Sequence, residues 1–293
     1  MNGVINCLKP PGMTSHDVVD FIRKQLGTKK VGHGGTLDPG AAGVLPIFVG
    51  KATKAVEFFD DCDKEYVAEM TLGVTTDTGD NLGKVLEIRE CEAEPASIVE
   101  TFGKFVGKIQ QIPPMYSAVR HKGKKLYELA RQGITVERKP RTVEIYSIEL
   151  IKYEKPRVLF KVSCSRGTYI RTLCEDIGRA LGCGAHLSCL IRTKLGPFNI
   201  SRAITLEEIK EKSPDILVPL EEILSAFMAS ATIQVRNEKS FFKGAEFPVE
   251  NLSDEPDENR RVIIYDQNKR FIGVGRIFNL NANPTVKVEK SFL

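Results

Sequence analysis

Three features of this 293-residue chain predict an α+β protein in two parts. Several stretches alternate apolar and polar residues strictly, as half-buried strands do. Between them lie stretches whose apolar residues recur at helical spacing. Beyond residue 231 the chain turns to short strands separated by turn residues, the pattern of a small β-barrel. The expected division is a larger domain over 1–230 and a small β-domain over 231–293.

In chain order, GVINCLK reads as a short strand running into a Pro-Pro-Gly turn, with Lys9 just before it. Thr14 or Ser15 can cap the next helix, whose Val18, Phe21, Ile22 and Leu26 share a face and whose Gly27 can close it left-handed. The stretch VGHGGTLDPGAAGVLPIFVG over 31–50 sets one carboxylate, Asp38, among glycines. Glycine permits positive φ and close backbone approach, and Pro39 stiffens the turn, so the acid is presented on a shaped loop. On these residues alone, ordinary Asp-Pro-Gly turn chemistry explains the motif as well. The apolar run that follows suits a buried strand, although Pro46 argues for an edge, a bulge or a short element.

KATKAVEFFDD reads as a short helix, and in YVAEMTLG the residues Tyr66, Ala68, Met70 and Leu72 share the core face of a strand. VTTDTGDNLGK is a polar loop whose Asp77 and Asp80 suit turn fixing better than metal binding, because the later ligands of a calcium loop are missing. SIVETFGKFVG suits a helix, IPPMYSA a proline-rich loop, and KKLYELARQG a helix ending at Gly133. Two strands follow, TVEIYSIELIKY and RVLFKVSCS. From Thr168 the period changes, with Ile170, Leu173, Cys174 and Ile177 on one helical face. SRGTYIR is therefore a strand-to-helix junction, where unpaired amides and the dipole favour an anion or carboxylate. KEKSPDILVPLEEIL over 210–224 reads as a polar linker, and ATIQV, RVIIYD, FIGVGRIF and TVKVEK as the strands of the small domain, with turn material at 281–284.

The net charge of +4 is modest but unevenly spread: residues 104–141 hold ten Lys and Arg against Glu128 and Glu137. A phosphate backbone is the natural partner of such a patch, and a solvated lysine surface is the plainer alternative. The seven cysteines are odd in number and include no CxxC pair, as expected of reduced thiols in a cytoplasm. Cys174, Cys183, His186 and Cys189 are zinc-ligand types, but their spacing fits no standard ribbon or finger, and no metal is expected. Neither a signal peptide nor a membrane-length apolar run is present, so a soluble cytoplasmic protein without a membrane partner is expected. The absence of P-loop and Rossmann fingerprints suits chemistry without a cofactor.

The string GHGGTLDPGAAGVLPIFVGKATK closely resembles the catalytic motif of bacterial TruB-type tRNA pseudouridine synthases. The resemblance recurs in NCLKPPGMTSHDVV, KEYVAEMTLGVTTDTGD, IPPMYSAVRHKGKKLYELARQG and SCSRGTYIRTLCEDIGRALGCGAHLSCLIRT, and it covers most of residues 1–200 in the family's order. It implies a pseudouridine synthase fold: a mixed, mainly antiparallel sheet flanked by helices, with a PUA-like RNA-binding barrel after it. It also implies isomerisation of uridine to pseudouridine at position 55 in the T-loop of tRNA, with an aspartate and no cofactor.

Residue by residue, Asp38 matches the catalytic aspartate and Arg171 the arginine that pairs with it, a pairing expected to lower the carboxyl pKa. Tyr66 matches the tyrosine that stacks on the target base, Tyr169 and Leu190 match pocket residues, and His33 matches the histidine that helps displace the T-loop bases. Lys9 falls in a motif where a structural role is expected. Two positions depart from the family pattern: Ile191, where a second arginine is common beside Arg192, and Gly34, where threonine is common. The implied partner is the tRNA T-arm, with no obligatory protein partner and a monomeric state. Competing readings are a guide-RNA-dependent synthase of the same fold and an RNA-binding or tRNA-folding module without catalysis. An Asp-dependent hydrolase would want a second carboxylate or a metal cluster.

Overall fold

The computed structural model describes residues 1–212, 215–253, 259–279 and 283–293. The larger part is a nine-stranded mixed sheet. It begins with β1 (Gly3–Lys9), α1 (Ser15–Leu26), β2 (Val31–His33) and β3 (Ala42–Val49), followed by a 3-10 helix, Gly50–Phe59. Next come β4 (Lys64–Leu72), the hairpin β5 (Val74–Thr76) and β6 (Val85–Ile88), α2 (Pro95–Gly103) and β7 (Gly107–Gln111). The basic segment carries β8 (Arg120–His121), β9 (Lys124–Lys125) and α3 (Leu126–Ala130), and leads to β10 (Arg141–Glu154) and β11 (Arg157–Cys164). The last elements of this part are α4 (Ile170–Ala180), β12 (Ala185–Leu195) and β13 (Phe198–Asn199).

Strand order is β1-β3-β12-β4-β11-β10-β7, with β2 paired to β3 and β13 to β12. The sheet is antiparallel except where β12 runs parallel to β3, through Ile191↔Ala42 and Arg192↔Gly43. On its other side β12 pairs antiparallel with β4, setting Leu190 opposite Ala68 and Arg192 opposite Tyr66. The start of β3, the middle of β12 and the start of β4 therefore meet, and the Asp38 loop enters the sheet at that junction.

Local signals explain the flanking elements. Thr14 Oγ1 accepts from Asp17 N at 3.1 Å while Asp17 Oδ2 accepts from Thr14 N at 2.8 Å, a reciprocal cap that starts α1. Val18, Val19, Ile22 and Leu26 of α1 and Ile170, Leu173, Cys174 and Ile177 of α4 are buried in one core with Ala68, Met70 and Leu72 of β4. Tyr66 begins the same inward row of β4.

Three local expectations are corrected. β3 is an eight-residue interior strand despite Pro46. The Pro46 carbonyl accepts from Gly34 N at 2.8 Å, and a strand residue's N and O face the same side. The missing N–H therefore faces the loop before β2–β3 pairing begins rather than β1, and no ladder bond to β1 is forfeited. The polar loop after β4 is partly a hairpin, because β5 pairs with β6. The helix expected to reach Gly133 ends at Ala130.

The segment over 210–224 is no linker, although 213–214 lie outside the described residues. Val218 exchanges backbone bonds with Val4 of β1 at 2.8 and 2.9 Å. It is flanked by α5 (Leu206–Lys212) and α6 (Leu220–Ser225), and Leu220 and Leu224 are buried. The C-terminal strands are β14 (Ser230–Ile233), β15 (Glu246–Pro248), β16 (Asn251–Leu252), β17 (Arg261–Asp266), β18 (Phe271–Phe278) and β19 (Thr285–Ser291). They form a curled six-stranded sheet of order β15-β19-β18-β17-β14-β16, and the turn read at 281–284 begins outside the described residues. Ile263 and Val274 share a core with Phe48, Phe58, Phe59 and Leu224, and Arg261 lies 5.1 Å over the Phe58 ring. The C-terminal sheet is thus packed against the larger part. No helix among the described residues is long and apolar enough to cross a membrane.

Candidate active site

Almost every carbonyl of the loop between β2 and β3 is held. Arg192 donates to Gly35 O at 3.0 Å, to Thr36 O at 3.5 Å and to Val44 O at 2.8 Å. Ser15 Oγ, at the start of α1, donates to Leu37 O at 3.0 Å, and the same oxygen lies 2.9 Å from Leu37 N. Pro39 O accepts from Gly12 N at 2.8 Å and Asp38 O from Ala41 N at 3.0 Å. Lys9 Nζ donates to Ala41 O at 2.7 Å, to Pro10 O at 2.8 Å and to Pro39 O at 3.4 Å. Backbone polarity is thereby consumed inside the protein, and the Asp38 side chain is left facing the cleft.

Both clamping cations are buried, Lys9 at 0% and Arg192 at 1% exposure, and their partners are chiefly carbonyls. Burial pulls the Lys9 ammonium down to about 8, with Asp38 among the charges that resist the fall. Gly43 lets the clamp close. Its φ of +113° and the Arg192 backbone packed against its Cα leave no room for a Cβ.

The Asp38 side chain is 44% accessible through the mouth of a cleft whose rim includes Gly40, Asp80, Leu82, Cys189 and Leu190. Arg171, in the first turn of α4 with a side chain only 6% exposed, sets Nη2 3.0 Å from Asp38 Oδ2. The same nitrogen donates to Tyr116 O at 2.7 Å, while Nη1 donates to Thr78 O at 3.2 Å and lies 3.7 Å from Asp80 Oδ2. Asp80 is itself fixed, its Oδ1 accepting from Thr78 Oγ1 at 2.6 Å and from Leu82 N at 3.1 Å. One guanidinium therefore binds two carboxylates and two loops.

The pair does not lower the Asp38 pKa overall, as the resemblance led one to expect. Enclosure by the cleft walls pushes the carboxyl above the ordinary aspartate range, Arg171 opposes this, the neighbouring Asp80 adds to it, and Lys9 opposes it weakly. Arg171, the largest opposing influence, also faces Asp80 and two carbonyls.

Of the remaining expected residues only Leu190, 9% exposed, lines the cleft; Tyr66, Tyr169 and His33 do not. Tyr66 is 6% exposed, its hydroxyl lies against the Arg192 guanidinium, and burial pushes its pKa up to about 12. Tyr169 precedes α4, where Gln111 brackets it: its N donates to Gln111 Oε1 at 3.0 Å and its O accepts from Gln111 Nε2 at 3.3 Å. His33, on β2, stands apart from the cleft rim; its Nδ1 is buried without a hydrogen-bond partner, and burial followed by Arg192 lowers its pKa.

Sequence reasoning did not foresee the clamping role of Arg192 or the sharing of Arg171 with Asp80 and Tyr116. A lone arginine alternating with buried residues in a strand was the available signal for Arg192. Among the described residues no group of His, Cys, Asp and Glu is placed to hold a metal, and all seven cysteines are free thiols.

Comparison with known proteins puts the chain among the pseudouridylate synthases. Residues 23–170 match the N-terminal domain of TruB family pseudouridylate synthases, and residues 171–225 match the tRNA pseudouridylate synthase B C-terminal domain. A protein named tRNA pseudouridine synthase B from Alkaliphilus oremlandii is 50% identical over 97% of this chain and 95% of its own length. One of the same name from Clostridium kluyveri is 41% identical over 100% of both. Within that class, the chain belongs to the TruB family. Its fold is also that of a chain in a crystal structure of a Cbf5-Nop10-Gar1 complex, with a TM-score of 0.77 and 32% identity over 99% of this chain and 85% of that one.

Proposed function

We propose that this enzyme isomerises uridine to pseudouridine at position 55 in the T-loop of tRNA, with Asp38 as its catalytic carboxylate. The observation that carries the reading is the 3.0 Å pair of Arg171 and Asp38 in a cleft whose loop backbone is held from several sides. The tRNA substrate is supported by the names of relatives at 41–51% identity.

The reaction breaks the bond from C1′ to N1, turns the uracil, joins C1′ to C5, and releases the C5 hydrogen as a proton while N1 gains one. Electrons balance without a redox partner. Whether Asp38 attacks as a nucleophile or removes a proton, it must be ionised, and Arg171 favours that form while aiming one oxygen outward. The target base must leave its stack to reach the acid. Leu190 lines the cleft; the family resemblance assigns Tyr66 to stacking on the base and Tyr169 to its pocket, and His33, apart from the cleft, to displacing the T-loop bases. The basic segment 104–141 suits the phosphates of the T-arm. Residues 1–230 form the catalytic domain and 231–293 a PUA-like RNA-binding module in an enzyme working as a cytoplasmic monomer.

The test is release of tritium from C5-tritiated tRNA by wild type beside Asp38→Asn, followed by mapping of the product. Release by wild type alone, at the T-loop uridine, is expected. Release by Asp38→Asn, or a product at another position, would overturn the aspartate or the substrate respectively.

A further inference from the structure

The cleft over Asp38 is open to solvent, and the acid's side chain is reached through its mouth. A uracil brought to Asp38 therefore passes between the residues of the rim. The rim on one side is the Asp38 loop, which Lys9, Arg192 and Ser15 hold, together with β12. On the other side it is the turn at the tip of the β5–β6 hairpin, whose backbone is itself bonded to β12: Asn81 N donates to Leu187 O at 3.1 Å and Leu187 N to Gly79 O at 3.0 Å.

At that tip sits Leu82, within a polar turn, Asp80-Asn81-Leu82-Gly83, and 69% exposed. An apolar side chain so placed forgoes the benefit of burial, and nothing about the turn demands it. Its Cδ1 is 3.6 Å from the position a Cβ on Gly40 would occupy, so it reaches across the mouth to the loop that bears Asp38. Its backbone is tied to the ion network as well. Leu82 N donates to Asp80 Oδ1 at 3.1 Å, and Asp80 Oδ2 faces the guanidinium that pairs with Asp38. The backbone of this apolar turn is thus held in register with the Asp38 carboxylate while its side chain faces the mouth of the cleft.

We propose that Leu82 is a substrate-positioning residue: it stands at the mouth of the Asp38 cleft and packs on the entering uracil to hold it against Asp38. The inference rests on the reading of the site as that of a uridine isomerase. Leu82 takes no part in bond making. Its effect is on the fraction of bound RNA whose base is correctly seated, which moves the single-turnover rate and leaves overall RNA affinity to the phosphate contacts.

The experiment measures single-turnover tritium release and tRNA affinity for wild type, Leu82→Ala, Leu82→Met and Leu86→Ala, with thermal midpoints for all four. Leu86, 67% exposed on the same hairpin but absent from the cleft lining, is the control. Leu82→Ala is expected to be about tenfold slower, as truncating an apolar side chain packed on the base implies, with affinity within about twofold and an unchanged midpoint. Leu82→Met, which restores a flexible apolar side chain, should recover most of the rate, and Leu86→Ala should match wild type. An active wild type with an equally fast Leu82→Ala, an equal slowing in Leu86→Ala, or an effect confined to affinity would overturn the inference alone. No release by wild type would overturn the underlying reading, and the inference with it.

Discussion

Arg171 Nη2 lies 3.0 Å from Asp38 Oδ2 and 2.7 Å from the carbonyl of Tyr116, so the IPPMYSA loop and the acid share one nitrogen. The IPPMYSA loop is thereby joined directly to the Asp38 carboxylate through one guanidinium.

That sharing makes the acid limb of the rate profile a measure of Arg171. Enclosure raises the Asp38 pKa and Arg171 holds it down, so activity that needs the carboxylate should fall on acidification at a pH above the ordinary aspartate range. Arg171→Met removes the lowering influence, which should move the limb to higher pH and cut the plateau by roughly 10²-fold or more. Arg171→Lys keeps a charge but not the fork, and should shift the limb less. Single-turnover rates across the acid range check this, and superimposable limbs would count against the pairing.

Lys9 predicts an alkaline limb. Its ammonium, held to about 8 by burial, gives up a proton donated to the loop carbonyls and ceases to be a positive neighbour of Asp38 as pH rises past that value. Because its folded pKa lies below the ordinary lysine value, the native state holds fewer protons than the unfolded chain between the two, and this group's contribution to stability rises with pH there. Activity should therefore decline from about pH 8 while the contribution of Lys9 to stability does not. Lys9→Met should be slower throughout and lack that limb, and urea midpoints measured at the same pH values separate the two effects.

Gly43→Ala should destabilise the fold by about 3 kcal/mol or more, since its φ is +113° and the new Cβ would overlap the Arg192 backbone. Thermal or urea unfolding reads the change directly. A variant as stable as wild type would mean that β3 and β12 can separate at their parallel pairing.

Lys122, Lys124 and Lys125 lie on the β8–β9 hairpin and its edge. Changing all three to Ala should weaken tRNA binding and flatten its dependence on log salt by about 0.7 to 0.9 for each phosphate that is no longer neutralised. An unchanged slope would place the RNA on another face.

Local chemistry was legible from the sequence by itself. The cap and apolar face of α1, the alternation that buries Tyr66, Ala68, Met70 and Leu72, and the change of period at Thr168 each depend on residues a few positions apart. The resemblance identified Asp38 and Arg171 and the family they belong to. Tertiary structure alone decided the rest. Pro46 could stay inside a sheet because its bare nitrogen faces the loop rather than the β1 ladder, and the segment around Val218 is tied to the larger part because Val218 pairs with Val4 and Leu220 and Leu224 are buried. Lys9 and Arg192 became clamps by meeting carbonyls of a distant loop. The direction of the Asp38 shift was reversed because desolvation depends on everything packed around a group. Periodicity and capping have a short reach along the chain, whereas burial and side-chain bonds to carbonyls are set by which elements become neighbours in space.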